Sequence, residues 1–152
     1  MVLPTYIFKD MTMKNYAQLL KEHGLKATFQ RMTILSAIHE MGHANVDEIY
    51  EKVLDTHPTL SLATVYKNII TMVEEGVLVE VPIAGKKSKY ELKKEEHLHL
   101  VCIECGSVVD REMDPVLEED TRKVASSSSF ALKERQLNLY GVCEKCQMAE
   151  AS

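Results

Sequence analysis

Ser61-Leu-Ala-Thr-Val-Tyr-Lys-Asn-Ile-Ile-Thr-Met-Val-Glu-Glu-Gly76, followed without a break by Val77-Leu-Val-Glu-Val-Pro-Ile83 and Ser88-Lys-Tyr-Glu-Leu92, is the stretch that decides the fold. Its first half has helical periodicity, with Leu62, Val65, Ile69, Ile70 and Val73 on one side. Ser61 offers an N-cap oxygen and Gly76 a stop. Its second half alternates apolar and polar residues around Ala84-Gly-Lys-Lys87, the pattern of a β-hairpin with a basic tip. A helix with a polar outer face that runs into such a hairpin reads as a recognition helix followed by a wing.

Three shorter helical patterns precede it. Val46, Ile49, Tyr50, Val53 and Leu54 have the spacing of a half-buried helix, stopped at His57-Pro58 because the residue before proline is pushed out of helical geometry. Phe29 to Met41 predicts a helix with Met32, Leu35, Ile38 and Met41 on one stripe, ended by Gly42. Tyr16, Ala17, Leu19 and Leu20 predict a first short helix, stopped by Gly24. Residues 14–92 therefore predict a winged helix-turn-helix, with residues 1–13 as a tail or extended start.

Downstream the periodicity changes. Lys93-Lys-Glu-Glu96 reads as a charged hinge. Leu98–Cys102, Ser107–Asp110 and Gln136–Cys143 predict strands, Pro115–Ala125 a helix with proline in its first turn, and Ser126–Ser129 a connector. Residues 97–148 are then a small α/β unit, with 149–152 as a tail. At about 55 residues such a unit needs a staple or a partner. The fold class expected is α+β.

Composition narrows the function classes. Of 152 residues, 45% are apolar and 27% charged, as in globular proteins. No apolar run approaches the roughly 18 residues of a membrane span. The opening Met1–Asp10 lacks the basic start and long apolar stretch of a secretory signal, so a cytoplasmic chain is expected. A net charge of −5 argues against a protein that coats nucleic acid indiscriminately. The charge is uneven: residues 14–93 carry 10 Lys/Arg against 10 Asp/Glu, and residues 94–152 carry 7 against 12. The neutral half is free to show phosphate a local basic face.

All four cysteines lie in two Cys-x-x-Cys pairs, Cys102/Cys105 and Cys143/Cys146. Two such knuckles suit a tetrahedral zinc site of four thiolates. Disulfides in one of three connectivities, redox-active pairs and inert core thiols are the alternatives. A reducing compartment disfavours the first, and a redox motif explains one pair rather than two.

His97-Leu98-His99 stands just before Cys102. In a strand these imidazoles share a face, so both can reach one ion. Other histidines and carboxylates in the chain cannot be joined to that pair by spacing alone. A site of imidazoles and carboxylates without sulfur suits Fe2+, Mn2+, Co2+ or Ni2+. A zinc deaminase is excluded, because it needs His-x-Glu and Pro-Cys-x-x-Cys; here the pair is His-x-His and Val101 precedes Cys102. A zinc-stapled winged-helix adaptor for protein contacts remains as an alternative.

Together, Gly24-Leu-Lys-Ala-Thr-Phe-Gln-Arg31, Ser61-Leu-Ala-Thr-Val-Tyr-Lys-Asn68, His97-Leu-His99, Cys102-x-x-Cys105-Gly106 and Leu139-Tyr-Gly-Val-Cys143-x-x-Cys146 resemble the ferric uptake regulator family over about residues 17–147. The resemblance implies a homodimeric, metal-dependent repressor that binds palindromic, AT-rich double-stranded DNA, with no enzymatic activity. It implies that residues 97–148 form the dimerisation domain. It implies Zn2+ on the four cysteines and a regulatory Fe2+ or Mn2+ on His43, Glu91, His97, His99 and Asp110. In the peroxide-sensing branch the last ligand is Asp, which favours peroxide sensing here, with His43 and His97 as the oxidised residues. An iron-responsive or other metal-responsive repressor is the alternative.

The same resemblance places DNA contacts at Lys26, Arg31, Ser61, Thr64, Tyr66 and Lys67. Tyr66 and Lys67 would face the major groove, Lys26 the minor groove, and Ser61 and Thr64 phosphate. Two departures stand out. Phe29 replaces a proline common at that helix start. An additional metal site of several iron sensors falls on Glu96, Leu98, the region of Glu118 and Arg135, where Leu98 cannot ligate and Arg135 repels a cation.

Overall fold

The structure, a computed structural model, describes residues 12–151. The predicted tail lies outside them up to Met11, and Met13 already opens the first helix. The chain divides after Glu95, within the charged 93–96 stretch, into two units.

The first unit comprises α1 (Met13–Glu22), α2 (Phe29–Met41), α3 (Val46–Val53), α4 (Leu62–Glu74), β1 (Leu78–Val81) and β2 (Lys89–Leu92). The strands form an antiparallel hairpin in which Leu78 faces Leu92 and Val81 faces Lys89. Three helix starts are capped as their sequences require. Thr28, Asn45 and Ser61 accept the backbone N–H three residues on, and Glu48 accepts the Asn45 N–H in return. Each cap stabilises its helix by about 1 kcal/mol.

The core of this unit is one cluster that includes Leu20, Ile34, Leu35, Ile38, Ile49, Ile69 and Met72, all without exposed surface. Burying each such side chain stabilises the fold by about 1.5–3 kcal/mol. One expectation is revised. α2 packs against α1, α3, α4 and β2, so it is buried on more than one stripe. Ile34 and Ala37 are buried with Leu35 and Ile38, whereas Met32 and Met41 are only partly so.

The second unit comprises β3 (His97–Cys102), β4 (Val108–Glu112), α5 (Pro115–Ser127), β5 (Leu137–Gly141) and α6 (Glu144–Glu150). Its sheet has the order β4-β3-β5, antiparallel on one side of β3 and parallel on the other. The parallel pair is possible because the chain between β4 and β5 is long enough to carry the crossover helix α5. Asp114 caps α5 by accepting the Val116 N–H at 2.7 Å, and Pro115 sits at its start. α5 runs two residues past the predicted Ala125, and α6, which the sequence reading does not predict, extends into the expected 149–152 tail.

The buried apolar side chains among the described residues of this unit are Val101, Cys102 and Ala125. That core is too small to hold the unit by itself. Polar ties supplement it. The Arg135 guanidinium donates from Nε and Nη2 to Glu96 Oε2 at 2.8 and 2.5 Å. Its Nη1 donates to the Glu118 carbonyl and to Thr121 Oγ1. The Glu96 carboxylate in turn raises the Arg135 pKa. Among the described residues, no helix is long and apolar enough to cross a membrane.

Candidate metal centres

The knuckle at Cys102 is built by backbone. The Gly106 N–H donates to the Cys102 carbonyl, and the Cys102 N–H to the Ser107 carbonyl, both at 2.9 Å. Gly106 turns this knuckle with φ of 75°, a region that favours glycine. The Ile103 N–H reaches the Gly141 carbonyl at 2.8 Å and brings the second pair toward the first. Cys143 is the N-cap residue of α6, which places Cys146 one turn along.

All four Sγ atoms lie within 4.8 Å of one another, and none is in a disulfide. Zn–S bonds of about 2.3 Å form a tetrahedron with edges of about 3.8 Å. The Cys105 to Cys143 sulfur distance is 3.9 Å. The donors therefore fit zinc.

Their acidities diverge. Backbone N–H groups, first that of Cys105 and then that of Cys143, pull the Cys102 thiol down to about 6. The Ser107 hydroxyl and N–H lower Cys105. Cys146 is pushed up to about 12, chiefly by its hydrogen bond with Cys143 and then by burial. Part of the set is ready as thiolate, and a dication is what allows the rest to ionise.

The imidazole and carboxylate residues form one group in each unit. In the first, Ala44 and Tyr90 make an isolated antiparallel bridge, with reciprocal N–H to carbonyl bonds of 3.2 and 2.8 Å. The residues beside that bridge, His43 and Glu91, thereby come together, with His43 Nε2 2.7 Å from Glu91 Oε2. Gly42, with φ of 78°, turns the chain out of α2 so that His43 can face the hairpin.

In the second unit His99 pairs in register with Asp110 on β4. His97 Nε2 and His99 Nε2 are 2.9 Å apart, and each is 3.4 Å from Asp110 Oδ1. His97 and His99, expected on one face of a strand, lie side by side on β3 and both approach Asp110. Asp110 joins them through strand register, which no sequence spacing reveals.

One contributor escapes the sequence reading. Asn138 on β5 is the register partner of His99 on the other side of β3, and its Oδ1 is 2.8 Å from His99 Nδ1. Only the strand order could have found it.

The nitrogen and oxygen donors, without sulfur, suit Fe2+ or Mn2+, whereas the four sulfurs suit zinc. The remaining histidines have structural partners. His23 bonds the Leu19 carbonyl, His39 the Tyr16 hydroxyl at 2.6 Å, and His57 the Thr33 hydroxyl, with Phe29 edge-on at 4.9 Å.

On α4, Tyr66 and Lys67 are exposed, with Tyr66 48% accessible, and Lys26 is exposed before α2. Ser61 Oγ and Thr64 Oγ1 bond each other at 2.9 Å at the N-terminus of α4. Arg31 is engaged differently from the other predicted DNA contacts. Its Nε donates to Asn68 Oδ1 and its Nη1 to the Lys26 carbonyl, which braces α4 against the start of α2. At the wing, Lys87 pairs with Asp47, while Lys86 is exposed.

The second unit also has an open groove of about 540 Å³ lined by Leu100, Val109, Leu139 and Tyr140 among others. These four side chains are exposed.

Comparison with known proteins agrees with this layout. The profile of the Ferric uptake regulator family matches residues 22–140. The chain is 32% identical over 139 residues to the Peroxide operon regulator of Bacillus subtilis, covering 91% of this chain and 95% of that one. It is 35% identical over 134 residues to the Ferric uptake regulation protein of Vibrio anguillarum, covering 86% and 89%. The crystal structure of the Campylobacter jejuni peroxide stress regulator superposes with a TM-score of 0.71, at 37% identity over 85% of this chain and 97% of that one. The chain belongs to the ferric uptake regulator family of metal-responsive transcriptional regulators.

Proposed function

We propose that this chain is a homodimeric repressor of AT-rich palindromic operators whose regulatory ion is Fe2+, and that it relieves repression in response to hydrogen peroxide. The observation that carries the reading is the placement of Asp110 beside His97 and His99, with His43 and Glu91 already paired on the other unit. One ion held by both groups would tie the DNA-reading unit to the pairing unit. Fixing the two units fixes the spacing of the two recognition helices in a dimer, which is what a palindrome measures. The ion thus biases the hinge around residues 93–96.

Pairing of two chains is supported by the second unit itself. It has three buried apolar side chains among its described residues and an exposed apolar groove, a combination that favours burial against a second copy. DNA reading is supported by exposed Tyr66, Lys67 and Lys26, together with the N-terminal end of α4, where Ser61 is exposed and Thr64 half-buried.

Fe2+ held at such a site would supply the redox chemistry that activates peroxide. The residues decide where oxygen goes. His43 and His97 are 13% and 14% exposed, whereas His99 is 3% exposed. The first two are therefore the accessible imidazoles. The net change is insertion of one peroxide oxygen at an imidazole carbon, with the other oxygen leaving as water. A modified ligand no longer holds the ion, and the hinge is released.

An iron-responsive repressor is the second reading, favoured by the 35% identity to the Vibrio anguillarum protein. Mass spectrometry of Fe2+-loaded protein before and after peroxide separates the two. A gain of one oxygen on His43 or His97, with release of DNA, supports peroxide sensing. DNA release on iron removal without any gain supports iron sensing.

A further inference from the structure

Asp110, His99 and Asn138 form one row across the three strands β4, β3 and β5, because His99 is in register with both neighbours. The row gives the two nitrogens of His99 different surroundings. Nε2 points toward His97 Nε2 and Asp110 Oδ1, the metal side. Nδ1 points the other way, 2.8 Å from Asn138 Oδ1.

An amide oxygen only accepts, so His99 Nδ1 must carry the proton. At its far end the Asn138 amide donates from Nδ2 to the Tyr140 hydroxyl at 3.4 Å, which leaves Oδ1 to face the ring. A neutral imidazole protonated at Nδ1 has its lone pair on Nε2. Asn138 therefore selects the form of His99 that can ligate. It also holds a buried ring in one orientation.

We propose that Asn138 is a positioning residue for the regulatory metal, holding His99 as the Nδ1–H tautomer so that Nε2 is offered to the ion. The proposal rests on the reading of His99 as a ligand. It adds a residue from β5, the strand that leads directly into Cys143. The two metal centres thus share a strand: β5 carries the outer support of one and delivers the ligands of the other.

The test uses full-length protein with one zinc per chain and no regulatory metal, as wild type, Asn138→Leu and Asn138→Asp. Long-range 1H–15N correlation spectra report the tautomer of His99, and calorimetric titration with Mn2+ reports affinity. For wild type we expect a pure Nδ1–H form. Asn138→Leu should show Nε2–H character and bind Mn2+ more weakly by about 10–100-fold, the usual cost of losing an outer-shell partner. Asn138→Asp, which keeps an acceptor, should keep the wild-type tautomer and bind at least as tightly as wild type.

If Asn138→Leu loses zinc or fails to fold, Asn138→Asp and the wild-type tautomer decide the matter. An Nε2–H form in wild type, or weakened Mn2+ binding by Asn138→Asp, overturns the proposal. Equal Mn2+ affinity in wild type and folded Asn138→Leu overturns the role of Asn138 alone. No Mn2+ binding by wild type overturns the ligand reading and this proposal together.

Discussion

Glu91 Oε2 lies 2.7 Å from His43 Nε2, and the pair is set by the backbone bridge between Ala44 and Tyr90. The same bridge joins the end of α2 to the wing hairpin. A metal drawn to His43 and Glu91 is thereby anchored in the framework that carries α4.

His43→Ala should lower Mn2+ affinity by more than the about 10–100-fold expected for an outer-shell change. Zinc content and the fold should be unaffected, because His43 takes no part in the four-cysteine set. Calorimetric titration and zinc analysis on the same sample check both statements. Unchanged Mn2+ affinity would remove His43 from the ligand set.

Cys102→Ser should release zinc and unfold the second unit together. Structural zinc contributes on the order of 10 kcal/mol in small domains, and the buried side chains Val101 and Ala125 offer little to replace it. Metal analysis, circular dichroism and sedimentation test this. A zinc-free variant that stays folded and dimeric would contradict it.

Tyr66→Ala and Lys26→Ala should behave differently on DNA. Tyr66→Ala should cost about 1–3 kcal/mol of discrimination between operator and scrambled duplex, as the loss of a base contact does. Lys26→Ala should lower affinity for both duplexes and reduce the salt dependence. Binding isotherms at two salt concentrations distinguish them. Tyr66→Ala that matches wild type on both duplexes would leave Tyr66 without a reading role.

Alkaline titration probes the hairpin. Burial, followed by the nearby Glu80 and Tyr66, pushes the Tyr90 hydroxyl up to about 12, above its ordinary value of 10.0. The folded state favours the neutral phenol. The stability this contributes is complete below about pH 10 and is lost as pH rises through about 12. Urea unfolding across that range should show a shallower decline for Tyr90→Phe than for wild type. Parallel declines would show that Tyr90 does not contribute.

Much of this was legible in local chemistry. The helix start at Ser61 is written in its cap residue, and stops in Gly42 and Gly76, because these effects act within one turn; the caps at Thr28 and Asn45 are added by the structure. His97 and His99 were legible because strand alternation puts both on one face. The rest depended on long-range pairing. Asp110 and Asn138 flank His99 only through the order β4-β3-β5, and His43 meets Glu91 only through the Ala44 bridge. α6 is short and follows a metal knuckle, so it lacks a periodic apolar stripe to announce it. Arg31, expected from the resemblance to contact DNA, has a structural role that its charge does not reveal. Its bonds to Asn68 and the Lys26 carbonyl make it a brace between helices, and these partners are distant in sequence or belong to the backbone.

In the proposed function, a regulatory ion distinct from zinc stiffens the link between the two units. Operator affinity should be measured by anisotropy on dimer with Mn2+ bound, then after a mild chelator has removed Mn2+ and left one zinc per chain. Stripping should weaken binding by about 5–150-fold, the usual range of allosteric coupling. Undiminished operator binding by the stripped, zinc-loaded dimer would contradict the account.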